Sequence, residues 1–131
     1  MDIRKFYSTD KLLENEGAWV DLDDETSIKV ARIGNKAFKE VWKKETAPYQ
    51  HSMKNKVLSD EAGEKIMIKV VASTILLDWK GVTENGKPVD YSLENAVRML
   101  TEYKDFRDMV IEISSDMNNF KDKEEKEAIK N

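Results

Sequence analysis

At 131 residues, the chain is the size of one domain that can bury its own core without disulfide or metal staples. Hydrophobic residues make up 40% and charged residues 37%, against roughly 25% charged in an average domain, and five glycines and two prolines are few, so the balance favours helices with solvated outer faces. The absence of cysteine excludes a disulfide framework, a thiolate metal site and a cysteine nucleophile, and a net charge of −4 runs against a general nucleic-acid binder.

The first 16 residues lack the apolar core of a signal peptide, and no run of about 18 apolar residues offers a membrane span. These features predict a soluble, cytoplasmic chain. Charge is unevenly spread: three basic and eight acidic side chains in residues 1–28, eight and two in 29–56, eleven and sixteen in 57–131. The basic stretch, with Lys36, Lys39, Lys43, Lys44, Lys54 and Lys56, has a single arginine, Arg32, and is read as complementing acidic segments of the same chain or of a neighbouring subunit. Nucleic acid is not expected as a partner.

Residues 17–33 alternate Val20 with Leu22 and Ile28 with Val30 around an acidic turn, which predicts a β-hairpin. The turn Asp21-Leu22-Asp23-Asp24-Glu25 lacks the sixth-position glycine and late glutamate of an EF-hand loop, so no metal is assigned. Residues 35–47 switch to helical spacing, with Ala37, Phe38, Val41 and Trp42 on one face and Pro48 closing the run. Residues 49–58 read as a loop. His51, the only histidine, has no second ligand or carboxylate at useful spacing and is read as a loop residue, not a base.

Ser59, Asp60 and Glu61 supply a cap and acidic first turn for a helix whose apolar residues run from Ala62 through Ile66, Val70 and Val71 to Leu77. This is the predicted central helix. In residues 78–96, Gly81, Asn85-Gly86 and Pro88 have turn chemistry, and Trp79, Val82, Val89 and Tyr91 are placed as a plug over the helix ends. Ser92 caps a further helix with Leu93, Ala96, Val97 and Leu100 on one face. The last helix is read from Phe106 through Met109, Val110, Ile113 and Met117 to Phe120, ahead of a charged, flexible tail at 121–131. The resulting fold class is mainly α: a small helical bundle with an N-terminal β-hairpin at about 17–33, in a single domain spanning 1–120.

The order Trp79-Lys80-Gly81-Val82, Glu84-Asn85-Gly86-Lys87-Pro88-Val89, Tyr91-Ser92-Leu93-Glu94-Asn95-Ala96, Met99-Leu100 and Phe106 resembles the tail assembly chaperones of long-tailed bacteriophages. Upstream, Glu16-Gly17-Ala18-Trp19-Val20, Ile28-Lys29-Val30-Ala31-Arg32, Gly34-Asn35 and Phe38 extend the likeness, so that it spans about residues 16–120. The resemblance implies a non-enzymatic protein of the host cytoplasm, absent from the mature virion. By that resemblance its partners would be the tape measure protein, kept soluble during tail assembly, and the tail tube protein.

Ile113, Met117 and Phe120, an adaptable apolar stripe, are the candidate client contacts. No catalytic, cofactor or metal residues are assigned, since one histidine and no cysteine leave no Ser/His/Asp set and no ligand spacing. A homo-oligomer is expected, because a two-stranded hairpin is marginal alone and the segment charges are complementary. The competing reading is a small helical adaptor or regulator that binds a folded protein or nucleic acid.

Overall fold

The computed structural model describes residues 1–50 and 59–122. Its elements run α1 (Ile3–Tyr7), α2 (Lys11–Glu16), β1 (Ala18–Asp21), β2 (Ser27–Val30) and α3 (Lys36–Thr46), the last followed by a 3-10 turn at Ala47–Tyr49. Beyond residue 58 come α4 (Asp60–Thr74), β3 (Leu76–Lys80), β4 (Thr83–Glu84), β5 (Lys87–Pro88), α5 (Leu93–Glu102), α6 (Lys104–Ser115) and a 3-10 turn at Met117–Phe120. His51 and the tail from residue 123 onward lie outside the described residues.

The architecture is α+β, which corrects the mainly α bundle with a single N-terminal hairpin. The hairpin is present, with Val20 opposite Ile28, but β3 joins it antiparallel to give the order β1-β2-β3, and β4 and β5 form a second, two-stranded sheet. The source of the difference lies at Thr74-Ile75. There α4 stops, because the Asn35 amide takes the Thr74 carbonyl (3.0 Å), Ile75 leaves ideal helical geometry at φ −115, and its carbonyl accepts from the Ala31 amide (2.9 Å). Residues 76–80, expected to end the central helix or begin a corner, thus cover the open edge of β2.

An irregularity in register between Lys29 and Val30 places Val30 opposite Leu76 and Lys29 opposite Asp78, so Leu77 is an extra residue. Such a bulge lets Leu76 and Trp79, three residues apart, both be buried.

One core forms between the sheet and the helices. Ile28 and Val30 from β2, Ile68, Val71, Ala72 and Ile75 around α4, Leu76 and Trp79 from β3, Ala96, Met99 and Leu100 from α5 and Val110 from α6 make a continuous buried cluster. Each fully buried aliphatic side chain contributes about 1.5 to 3 kcal/mol relative to exposure. Around this core α3 packs on α4, α4 on α5, and α5 on α6.

The final helix is also shorter than its apolar spacing suggests. Ser114 and Ser115 hydroxyls turn back to the Ile111 carbonyl, the Asn119 amide takes the Ile113 carbonyl, and the Asp116 side chain caps the following 3-10 turn through the Asn118 amide. Short polar side chains thus outcompete continuation of the helix.

Gly81, at φ +76, lies against the β1–β2 turn: an added Cβ would sit 1.9 Å from the Glu25 carbonyl oxygen. Gly34 has a similar φ of +81 with nothing within 4 Å. Gly34→Ala should therefore cost only the left-handed penalty, about 1 to 2 kcal/mol. Gly81→Ala should cost about 3 kcal/mol or more, since the turn must also move. Urea denaturation of the two variants checks this, and equal losses would refute the close approach.

Candidate functional site

The stretch from Trp79 to Tyr91 is a packed corner. The Trp79 indole N–H donates to the Val89 carbonyl (2.7 Å), its ring meets Tyr91 edge-on at 5.1 Å, and the Tyr91 hydroxyl donates to the Leu76 carbonyl (2.8 Å). The Asn85-Gly86 turn, with φ of 53 and 78, closes the β4–β5 hairpin, as the type I′ signature of that dipeptide requires. The plug of Trp79, Val82, Val89 and Tyr91 thus exists, but Trp79 reaches it from a strand instead of a helix end.

The corner fixes where α5 begins. Ser92 accepts from the Asn95 amide (3.0 Å) and the Asn95 side chain donates to the Asp90 carbonyl (2.9 Å), a local cap that leaves Leu93 on the first turn. Between α5 and α4 runs an open groove of about 800 Å³. Leu93, Val97 and Ile68 supply its apolar surface, with Glu61, Glu64, Lys65, Lys69, Ser73 and Thr101 along its margins. Leu93 is 55% exposed, unusually open for a leucine whose neighbours Ala96 and Leu100 are buried. The marginal charges are mostly paired outside the floor: Lys65 with Glu61 (3.5 Å), Lys69 with Glu45 (3.0 Å) and Arg107 with Glu64 (3.2 Å). The Lys65–Glu61 pair is exposed, adds little stability and can exchange for a partner's charges, whereas Arg107 is buried and also donates to the Leu100 carbonyl (3.2 Å).

A second hollow of about 520 Å³ lies against the β4–β5 hairpin, walled by Val82, Met99, Tyr103 and Phe106. Its polar side is organised by Glu84, which accepts from Arg98 at 3.1 Å on both oxygens and from the Tyr103 hydroxyl at 2.5 Å. The Tyr103 hydrogen bond, followed by Arg98, holds the Glu84 carboxyl below its ordinary 4.5, and the same Glu84 contact raises Tyr103 above 10.0. The three side chains tie the hairpin to α5.

The sequence-predicted client residues are not gathered on one surface. Phe120 is fully buried, with Arg32 6.0 Å from its ring centre and its carbonyl accepting from the Asp10 amide (2.8 Å). It therefore belongs to the interior of this conformation. Ile113 is half-buried on α6 and Met117 half-buried in the following turn, on either side of the Asp116 break. The basic α3 leaves Lys36, Lys39, Lys43 and Lys44 exposed, while Phe38 and Trp42 stack on each other at 6.2 Å.

The sequence placed Leu93 and Val97 on the same apolar helix face as Ala96 and Leu100 and singled out no groove, yet a signal was present. Leu93, Ala96, Val97, Met99 and Leu100 make an apolar arc wider than one packing surface, so part of it must face elsewhere.

The fold and site define a small α+β domain whose most developed surface is an apolar groove between two helices; among the described residues no cluster of His, Cys, Asp or Glu is arranged to hold a metal ion. The chain belongs to the YdaY prophage protein family, whose model matches residues 33–131, and it is a phage-associated protein. No curated protein and no solved structure matches it. Among the described residues, no helix is long and apolar enough to cross a membrane.

The tie at Glu84 has a pH signature. A depressed carboxyl contributes stability that is present above the ordinary value of 4.5 and lost as pH falls through the lower folded value. Carbon-detected NMR titration should place the Glu84 midpoint below 4.5, and Tyr103→Phe should move it upward. An unchanged midpoint in Tyr103→Phe would show that Tyr103 is not the main cause.

Proposed function

We propose that this protein is a non-enzymatic tail assembly chaperone that holds the tape measure protein soluble in the host cytoplasm and is left out of the finished particle. The observation that carries the reading is the α4–α5 groove. Its α4 wall is 15 residues long, about 22 Å at 1.5 Å per residue, enough to lie beside several turns of an amphipathic client helix. Ile68, Leu93 and Val97 offer the apolar floor, and the mixed margin of glutamates and lysines can pair with charges flanking the client's stripe. Membership of a prophage family and the resemblance of residues 79–106 to tail assembly chaperones support the same reading. A tail tube protein is a second candidate partner.

The physical task suits such a surface. A long helical ruler with an exposed apolar stripe aggregates unless the stripe is covered until the tube forms around it. Covering requires complementary area and reversible contacts, and no bond needs to be made or broken. A nucleic-acid adaptor working through α3 has weaker support, because Phe38 packs against the core and is stacked on Trp42, leaving no free platform of spaced aromatics for bases.

Co-expression with the tape measure protein of the same prophage tests the reading. The wild-type chain should keep the client in the soluble fraction, and Val97→Asp should cut the recovered complex about tenfold or more, the loss expected when one aliphatic contact of 1.5 to 3 kcal/mol is removed. A client that remains insoluble beside abundant wild-type protein would refute the chaperone reading. A client solubilised equally by Val97→Asp would move the contact away from the groove.

A further inference from the structure

Residues 1–16 are attached to the domain in a different way from the elements that follow them. Neither α1 nor α2 contains a buried residue, and Leu13 is only half-buried, so little apolar surface holds this stretch down. Polar contacts make the attachment. The Asp10 amide donates to the Phe120 carbonyl (2.8 Å), the Arg32 amide to the Glu14 carbonyl (2.8 Å) and the Lys36 amide to the Asn15 side-chain oxygen (3.1 Å), with a long ion pair between Arg32 and Glu14 (3.5 Å). Helices of five and six residues do not persist in water without support, so when those links break the stretch regains its backbone freedom as one unit.

A pivot stands at its end. Gly17 is buried and holds φ 99 and ψ 148, a combination essentially confined to glycine, and an added Cβ would meet the Lys29 and Leu77 side chains at 3.0 and 3.2 Å. The stretch lies on the 3-10 turn at Met117–Phe120, against which α2 packs, and Phe120 is fully buried there. Just beyond the hairpin, three successive amides divide between the two parts of the molecule. Ala31 donates to the Ile75 carbonyl (2.9 Å) and Ile33 to the Ser114 carbonyl (3.0 Å), both in the body of the domain, whereas Arg32 between them donates to Glu14.

We propose that residues 1–16 are a strap that swings open about Gly17 while the three-stranded sheet and α3 to α6 stay folded, and that each opening bares Phe120. Opening breaks a few exposed hydrogen bonds and leaves the core cluster intact, so it requires less free energy than unfolding the domain. In the closed state the strap is a cover over an aromatic side chain at the domain surface. The inference goes beyond the chaperone reading and holds whether or not a client binds the α4–α5 groove.

Native-state hydrogen exchange on the full-length protein tests it, because neighbouring amides report different events. The protection of Arg32 should be at least tenfold below that of Ala31 and Ile33 and should match that of Asp10. Val110→Ala, which leaves a cavity in the core, should lower protection at Ala31 and Ile33 about tenfold or more and leave Asp10 and Arg32 unchanged. Gly17→Ala, which strains the closed strap, should lower protection at Asp10 and Arg32 about fivefold or more. Because the native chain has no cysteine, a thiol reagent applied to Phe120→Cys reports on the turn alone, and it should react faster than the global unfolding of that same variant, measured in urea, allows. Equal protection at Ala31, Arg32 and Ile33 would overturn the strap, as would Arg32 following Ala31 in Val110→Ala. Protection at Arg32 unmoved by Gly17→Ala would overturn the pivot, and a thiol at position 120 that reacts only on global unfolding would overturn the uncovering of Phe120. If Phe120→Cys folds poorly, the exchange of the wild-type amides still decides the proposal.

Discussion

The buried side chain of Asn35 is the point on which the remaining structure depends. It is 6% exposed, and its amide group donates to the carbonyls of Arg32 (2.8 Å) and Thr74 (3.0 Å) while its oxygen accepts from the Phe38 amide (2.9 Å). One side chain thereby turns the chain out of β2, starts α3 and satisfies the end of α4. A buried carbonyl left without a donor costs about 1 to 3 kcal/mol, so the place where α4 stops is energetically marked. Stopping there is what frees the next five residues to become the third strand.

From that strand the functional geometry follows in sequence. β3 carries Trp79 into the corner, Trp79 and Tyr91 hold the loop against the core, and the loop delivers Ser92 to cap α5. The cap sets the rotation of α5: Ala96, Met99 and Leu100 face inward, which leaves Leu93 and Val97 toward α4 and solvent. The groove is thus a by-product of an apolar arc too wide for one interface. Its charged margin is built from surface pairs, which give the groove edges of both signs without committing them to a rigid network.

Much of this was written locally in the chain. Ser59, Ser92 and Asn35 announce their helices as caps, the alternation around Val20 and Ile28 announces the hairpin, and Asn85-Gly86 announces the tight turn. β3 was hidden for a physical reason: its bulge buries Ile75, Leu76 and Trp79 at intervals of one and three, which imitates helical spacing. The apolar stripe from Phe106 to Phe120 misled in the opposite way, since the Ser114-Ser115-Asp116 break that splits it depends on side-chain bonds to the backbone, which periodicity does not register. The two short N-terminal helices carry aspartate caps at positions 2 and 10, a signal present but followed by only five and six helical residues, too few for a helical period to stand out. Of the candidate site, Leu93 and Val97 were visible as apolar helix residues. Which of them would be left uncovered depends on the neighbouring α4, a tertiary fact.

The seam between Asp10 and Phe120 gives the molecule a mechanical property. These two residues meet through a single backbone hydrogen bond, with the 3-10 turn also resting on α2 and β1, so the chain between them is a closed circuit. A pull directed between residues 1–9 and the segment after Phe120 would meet this seam before the three-stranded sheet, which lies inside the circuit.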